Sequence, residues 1–321
     1  MLKKRSIRKI LASTSVLVAM LLVYLIPKNQ EYTLNTNNEV EYVDTNMTFQ
    51  SVYLLDQNDF VARSKIVSSN NEYTVIEKSK ELLEVLICDG QNESSIPSGF
   101  KPIIPSDTKI IGISFEDGLL KVNFSKELLD VKEEYEEKMI EAITYTLTSI
   151  KDVDKIIIYV EGDVLTKLPK TKINLPSTLD KDYGINKDYE LTKTDNYQKV
   201  TVYYVSKYNE EYYYVPVTKY LNDDRDKIKI IIDELSSSYV HNSNLMSFLN
   251  NNTKLLASNI DNGVFDLTFN EYIFNDLNSK EILEEVIYTI SLSIKDNYDV
   301  EEVNFQVDDQ EIYKSVLKTL E

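Results

Sequence analysis

The chain has 321 residues, 42% of them hydrophobic, with 23 Tyr, 7 Gly and no Trp; at roughly 150 residues per domain that length points to about two domains. Its 35 Lys and Arg stand against 53 Asp and Glu, a formal net charge of −18, which argues against nucleic-acid binding because phosphate contacts need Lys and Arg to displace counterions. The lone cysteine, Cys88, excludes an internal disulfide.

Residues 1–9 carry five positive charges, Lys3, Lys4, Arg5, Arg8 and Lys9, ahead of the apolar run 10–26. A run of 17 residues reaches the short end of a membrane-spanning helix. The basic flank predicts a cytoplasmic N-terminus and an exported remainder. A cleaved signal peptide is the rival reading, but its apolar region is usually shorter and no small-x-small site follows Ile26. No Cys stands at residues 18–30 to carry a lipid. Residues 27–48 are polar and unpatterned and read as a spacer. Without the five N-terminal basic residues, 30 Lys and Arg face 53 Asp and Glu, a charge of −23 that serves solubility.

From residue 49 the same order of elements occurs twice: strand, strand, helix, hairpin, helix, strand. The hairpins "FEDGLLKVNFS" (115–125) and "IDNGVFDLTFN" (260–270) turn at Asp117-Gly118 and Asn262-Gly263, dipeptides suited to positive φ at both central positions. Alternation sets Phe115 opposite Leu120, Ile113 opposite Val122 and Ile111 opposite Phe124. The second copy sets Ile260 opposite Phe265 and Leu256 opposite Phe269. "DTKIIG" (107–112) matches "NTKLLA" (252–257) at the offset of 145 that also relates the turns. "EAITYTLTS" (141–149) matches "EEVIYTISL" (284–292) at 143, and "DVDKIIIYVEG" (152–162) matches "DVEEVNFQVDD" (299–309) at 147. A period this long indicates tandem domains rather than a solenoid.

Helices are expected over 74–87 and 226–235, with apolar positions Leu82, Leu83 and Leu86, and Ile228, Ile231, Ile232 and Leu235. The second helix of each unit shows Met139, Ile140, Ile143, Leu147 and Ile150, or Leu283, Val286, Ile287, Ile290 and Ile294. Each stripe lays one face on a sheet. The predicted fold class is therefore α+β: two tandem copies of a small sheet with two helices packed on one face, preceded by one N-terminal transmembrane helix. The segments are 49–167 for the first domain, 168–196 for a linker that either spans freely or packs along it, and 197–321 for the second.

No catalytic constellation emerges. His241 is the only histidine, reads as a surface-loop residue, and cannot build a usual zinc site alone. Cys88 reads as an inert thiol at a helix end. "NDDRDK" (222–227) resembles a calcium loop faintly, but Lys227 holds the position that needs Gly; Asn222 as a helix N-cap accounts for it better. The run Glu133, Glu134, Glu136, Glu137 reads as a solvated helix face. Tyr203, Tyr204, Tyr212, Tyr213 and Tyr214 alternate on a predicted hairpin, half of them core. Catalytic, cofactor and metal residues are accordingly expected to be none.

The succession "VPVTK" (215–219), a helix, "PSDTKIIGISFEDGLLKVNFSKEL" (105–128), "ITYTLTSI" (143–150) and "VDKIIIYVEG" (153–162) resembles the GerMN domain of sporulation and spore-germination proteins. The resemblance runs over about 50–165 and 198–312, and "YGIN" (183–186) is similar to a segment between tandem copies. It implies a non-enzymatic, membrane-tethered protein whose fold is similar to ring-building motifs of secretion systems, domains that pack side by side into a homo-oligomer or ring. Its implied partners are protein components of the channel complex between mother cell and forespore. Tandem members are often lipoproteins; here the run 10–26 would do the tethering. A module binding cell-wall glycan or a small ligand is the alternative, marked by a concave aromatic pocket that one copy has and the other lacks.

Overall fold

The computed structural model describes residues 48–68, 70, 72–90, 93–237, 244–308 and 310–317; the apolar run 10–26, the spacer up to 47 and His241 lie outside them. Among the described residues no helix is long and apolar enough to cross a membrane.

The first unit begins with a hairpin, β1 (Phe49–Asp56) and β2 (Val61–Val67). Helix α1 (Val75–Leu86) follows, opened by a capping box in which Thr74 and Glu77 satisfy each other's backbone N–H groups. A two-residue strand β3 (Phe100–Lys101) pairs with β1. The second hairpin is β4 (Ile110–Glu116) and β5 (Leu119–Phe124), and α2 (Glu136–Leu147) leads to β6 (Lys155–Val160) and β7 (Asp163–Val164). After β8 (Asp188–Glu190) the pattern recurs: β9 (Gln198–Tyr208), β10 (Glu211–Leu221), α3 (Lys227–Ser236), β11 (Leu255–Asp261), β12 (Val264–Phe269), α4 (Glu284–Asn297), β13 (Glu302–Val307) and β14 (Gln310–Val316).

The α+β class and the four helices are as expected, but each unit is built on two sheets. β4-β5-β6-β7 and β11-β12-β13-β14 form separate four-stranded sheets, in which β5 pairs with β6, and β12 with β13, in parallel. The opening hairpins of both units join in a third sheet, in which β2 lies beside β10. Ten of the twelve residues of α2 are buried, because the helix packs on β1 and β2 while its core also takes in Leu120, Val122 and Phe124 of β5 and Ile156 and Ile158 of β6. A helix between two sheets buries more than one stripe, so a single-face arrangement does not describe it.

Both predicted turns form. Asp117 and Gly118 have φ of 47° and 77°, and Asn262 and Gly263 have 49° and 78°. The register holds for Phe115 with Leu120, Ile113 with Val122 and Ile260 with Phe265. It slips further out: Phe124 faces Ile110, and Phe269 faces Leu255. Ile111 and Leu256 are the extra residues of a β-bulge, which leaves them 52% and 62% exposed instead of facing a partner.

The helix alignment also needs correction. The backbone N–H of Tyr53 donates to Thr146 Oγ1 (3.0 Å), and that of Tyr203 donates to Ser293 Oγ (2.9 Å). These equivalent bonds match α2 to α4 at an offset of 147, the same as for β6 and β13, and not 143. Four residues is about one helical turn, so the apolar stripe alone fits either register.

Residues 168–196 pack rather than span freely. Leu168, Leu175, Leu179 and Ile185 are buried in the first core, and β8 runs parallel to the end of β10. The described residues thus form one compact body.

Candidate interaction surfaces

The line where β2 meets β10 carries the most buried polar chemistry. Tyr53 and Tyr203 are equivalent residues of the two units, and their hydroxyls meet at 2.9 Å. Tyr203 also donates to Asp296 Oδ2 at 2.7 Å, and Lys181 pairs with the other carboxylate oxygen. The Tyr145 hydroxyl donates to the Lys181 carbonyl (3.1 Å). Burial, reinforced by Asp296, pushes the Tyr203 hydroxyl well above its ordinary range. Burial opposes the Lys181 ammonium, but Asp296 outweighs it and the group titrates above the usual lysine value. The tyrosines and Lys181 therefore keep their protons near neutrality, and the cluster is a fixed polar junction.

The registers disclose its symmetry. Tyr53 faces Arg63 across the first hairpin, Tyr203 faces Pro216 across the second, and Arg63 faces Tyr214 across the seam. A two-fold rotation exchanging the hairpins therefore carries Arg63 to Pro216 and Tyr214 to Val61. Proline has no N–H to extend the ladder at that second pair. Asn186, at φ 45°, supplies it instead. Its Oδ1 accepts from Val61 N (2.9 Å), while Nδ2 donates to the carbonyls of Val61 (2.8 Å) and Pro216 (2.7 Å). Its own N–H donates to Glu141 Oε2 (2.9 Å). This is the Asn of "YGIN", the motif noted in sequence without a role.

A double-mutant cycle on Tyr53→Phe and Tyr203→Phe should give a coupling of about 1 kcal/mol, the worth of one buried hydrogen bond, from urea unfolding of the four proteins. Additive effects would show that the hydroxyl pair adds nothing to the seam.

The second surface is duplicated. β4 and β11 are terminal strands of their sheets, and each displays its bulged apolar residue, Ile111 or Leu256, with Ile260 also exposed. Terminal strands offer unpaired backbone groups that can accept another chain.

The residues singled out in sequence fall elsewhere. Cys88 is half-buried beside the Ile87–Ile104 bridge. Asp226, not Asn222, caps α3, accepting from Ile228 N. Asn222 instead holds the 192–196 turn, accepting from Thr192 N and Lys193 N and donating to the carbonyls of Lys193, Asp195 and Asn196. Asp223 pairs with Arg225. The acidic run is only partly solvated. Glu136 is 1% exposed and accepts from Lys170 N, Thr171 N and Thr171 Oγ1; burial works against its charge, yet these bonds hold it below the ordinary glutamate range. Glu137 pairs with Lys187 at 2.6 Å. Of the tyrosines, Tyr203, Tyr204 and Tyr213 are core, whereas Tyr212 is exposed. Among the described residues no three His, Cys, Asp or Glu side chains group to hold a metal ion. The symmetry of Tyr53 and Tyr203 was within reach of the sequence, since "VY" lies inside both first strands at an offset of 150.

The duplicated two-sheet unit with its shared seam defines a class of tandem α+β domain proteins. A family model described as "Germane: Sporulation and spore germination" matches residues 51–166 and 201–313, and the chain belongs to that family. It is 31% identical over 266 residues to the spore germination protein GerM of Bacillus subtilis (strain 168), covering 80% of this chain and 71% of that protein. It is also similar to the solved structure of the tandem GerMN domains of the sporulation protein GerM from Bacillus subtilis, with a TM-score of 0.74 at 29% identity over 82% of this chain and 92% of that one.

Proposed function

We propose that this protein is a non-enzymatic, membrane-tethered, extracytoplasmic component of sporulation or spore germination, acting as a scaffold in an assembly between mother cell and forespore. The observation that carries the reading is the duplicated terminal strand: β4 and β11 offer the same bulged, apolar edge twice on one compact body. Two equal docking edges suit a part that joins protein neighbours. Family membership supports the setting, and the basic flank before 10–26 supports a tether with the N-terminus in the cytoplasm.

The test is affinity purification of the tagged full-length chain after mild cross-linking, from sporulating and from growing cells. Recovery of channel components of mother cell and forespore only during sporulation is the expected result. Equal partners in growing cells, or wall fragments alone, would overturn it. The variant Ile111→Lys with Leu256→Lys should unfold within about 0.5 kcal/mol of the parent, because both side chains face solvent, while losing most of those cross-links. Undiminished cross-linking by this variant would remove the edges from the proposal.

A further inference from the structure

The two-fold relation of the hairpins creates two equivalent grooves, and only one is filled. In the filled groove, residues 183–190 lie between α2 and the seam. Ile185 is bonded twice to Thr218, its N–H donating to the side-chain Oγ1 and its carbonyl accepting from the Thr218 N–H (2.8 Å). Asn186 bridges Val61 and Pro216, Lys187 pairs with Glu137, and 188–190 add to β10 in parallel.

The counterparts follow from the registers and the helix offset of 147. Pro216 corresponds to Arg63, Val61 to Tyr214 and Thr218 to Lys65, since Thr218 faces Thr201 as Lys65 faces Ser51. Glu137 corresponds to Glu284 and Glu141 to Tyr288. All five counterparts, Arg63, Tyr214, Lys65, Glu284 and Tyr288, line one cavity of about 390 Å³. The strand edge there is open as well. Val61 sends its N–H and C=O toward the β10 side, where Asn186 takes them. Strand periodicity directs those of Lys65 and Val67 to the same side, past Arg63, the last residue of β2 that pairs with β10.

From this we infer that the open groove binds an extended peptide of a partner protein that carries both acids and lysines, added in parallel to the outer edge of β2 as residues 188–190 add to β10. The peptide backbone would bond to Lys65 and Val67, and its side chains would lie over Tyr288 and Tyr214, which stack at 5.4 Å. Charge selects the peptide. The open groove presents Arg63 and Lys65 where the filled one presents the uncharged Pro216 and Thr218, and it keeps Glu284, with Glu211, on the same lining, Glu284 standing where Glu137 holds Lys187. Lys65 is half-buried, sits 5.9 Å over the Tyr288 ring, and forms no ion pair among the described residues. A half-buried cation in that setting favours an anionic neighbour. The filled groove gives the pattern: its own occupant, 181–190 "KDYGINKDYE", carries three acids against two lysines. The inference concerns a surface other than the β4 and β11 edges and does not rest on the scaffold reading.

The experiment titrates the synthetic peptide KDYGINKDYE into the full-length chain in detergent micelles, followed by NMR of selectively labelled tyrosines. The expected result is saturable binding with a Kd below about 1 mM, moving the signals of Tyr214 and Tyr288. Lys65→Glu should weaken it roughly tenfold, and Tyr288→Ala should weaken it too, with some loss of stability because its ring stacks on Tyr214. Absence of saturation, affinity unchanged in Lys65→Glu, or shifts confined to other tyrosines would overturn the inference. So would saturable binding of an N-acetylglucosamine hexamer at Tyr214 and Tyr288 without peptide binding, which would assign the groove to glycan.

Discussion

Replacing Asn186 by Ala is expected to lower stability by about 4 kcal/mol. The side chain satisfies three backbone groups, the N–H and C=O of Val61 at the start of β2 and the C=O of Pro216 midway along β10. Each buried polar group left without a partner costs about 1–3 kcal/mol, and the half-buried site draws on the lower end. A further ~1 kcal/mol comes from the positive φ, which Asn tolerates better than Ala. Asn186→Gly separates the two contributions, since it restores the backbone freedom and not the bonds, and should recover only about 1 kcal/mol. Urea unfolding followed by circular dichroism measures both. If Ala costs under about 0.5 kcal/mol, a range typical of neutral surface changes, the bridge does not hold the seam. Because the seam joins the two units, the Ala variant should also unfold in a broader transition, with one half melting ahead of the other.

The second large effect is a pH dependence at Glu141. This side chain is 3% exposed, and burial raises its pKa to about 7, against the opposing pull of the Asn186 N–H and of Lys187. Lys187 does little to offset burial because it lies 2.6 Å from Glu137 and 3.9 Å from Glu141. In the unfolded chain the group ionises near 4.5. Between pH 4.5 and 7 the folded state therefore holds the proton that the unfolded state has lost, so this residue's contribution falls as pH rises and levels off above 7. The span corresponds to about 3 kcal/mol at 1.36 kcal/mol per pH unit. Other carboxylates slope the opposite way, among them Glu136, held below its ordinary value, so the comparison must be differential. Glu141→Gln should gain on the parent by up to about 3 kcal/mol between pH 5 and pH 8, read from unfolding midpoints across that range. Parallel curves for the two proteins would show that Glu141 ionises in the fold as it does in water.

What the sequence discloses here is what is local. The Asp-Gly and Asn-Gly turns and the apolar stripes of all four helices depend on neighbours within a few residues, and those were legible. The bulges were not, because alternation counts residues and a bulge adds one without changing their character; Ile111 looks like any inward strand residue until its partner is known. The shared sheet was hidden for a different reason. β2 (VARSKIV) and β10 (EYYYVPVTKYL) are read as the edges of separate units, and nothing in either strand marks the other as neighbour. Glu136 reads as one acid in a solvated run, and only the loop at Lys170 and Thr171, more than thirty residues on, gives it an interior role. The seam's chemistry was invisible because it needs partners from both copies, although the paired "VY" dipeptides were in plain view.

The two-fold seam also limits how this molecule can associate. An interface that maps onto itself is complete once two units have met; it closes and leaves no matching half to recruit a third. Here both participants belong to one polypeptide, so the edge through which a single-unit protein would have dimerised is spent within the chain. Any larger assembly must then grow by contacts elsewhere on the surface, the duplicated β4 and β11 edges among them. An open polymer or a closed cycle becomes reachable only through such contacts, and a mutation on the seam would change how firmly each subunit holds together without changing how subunits are counted.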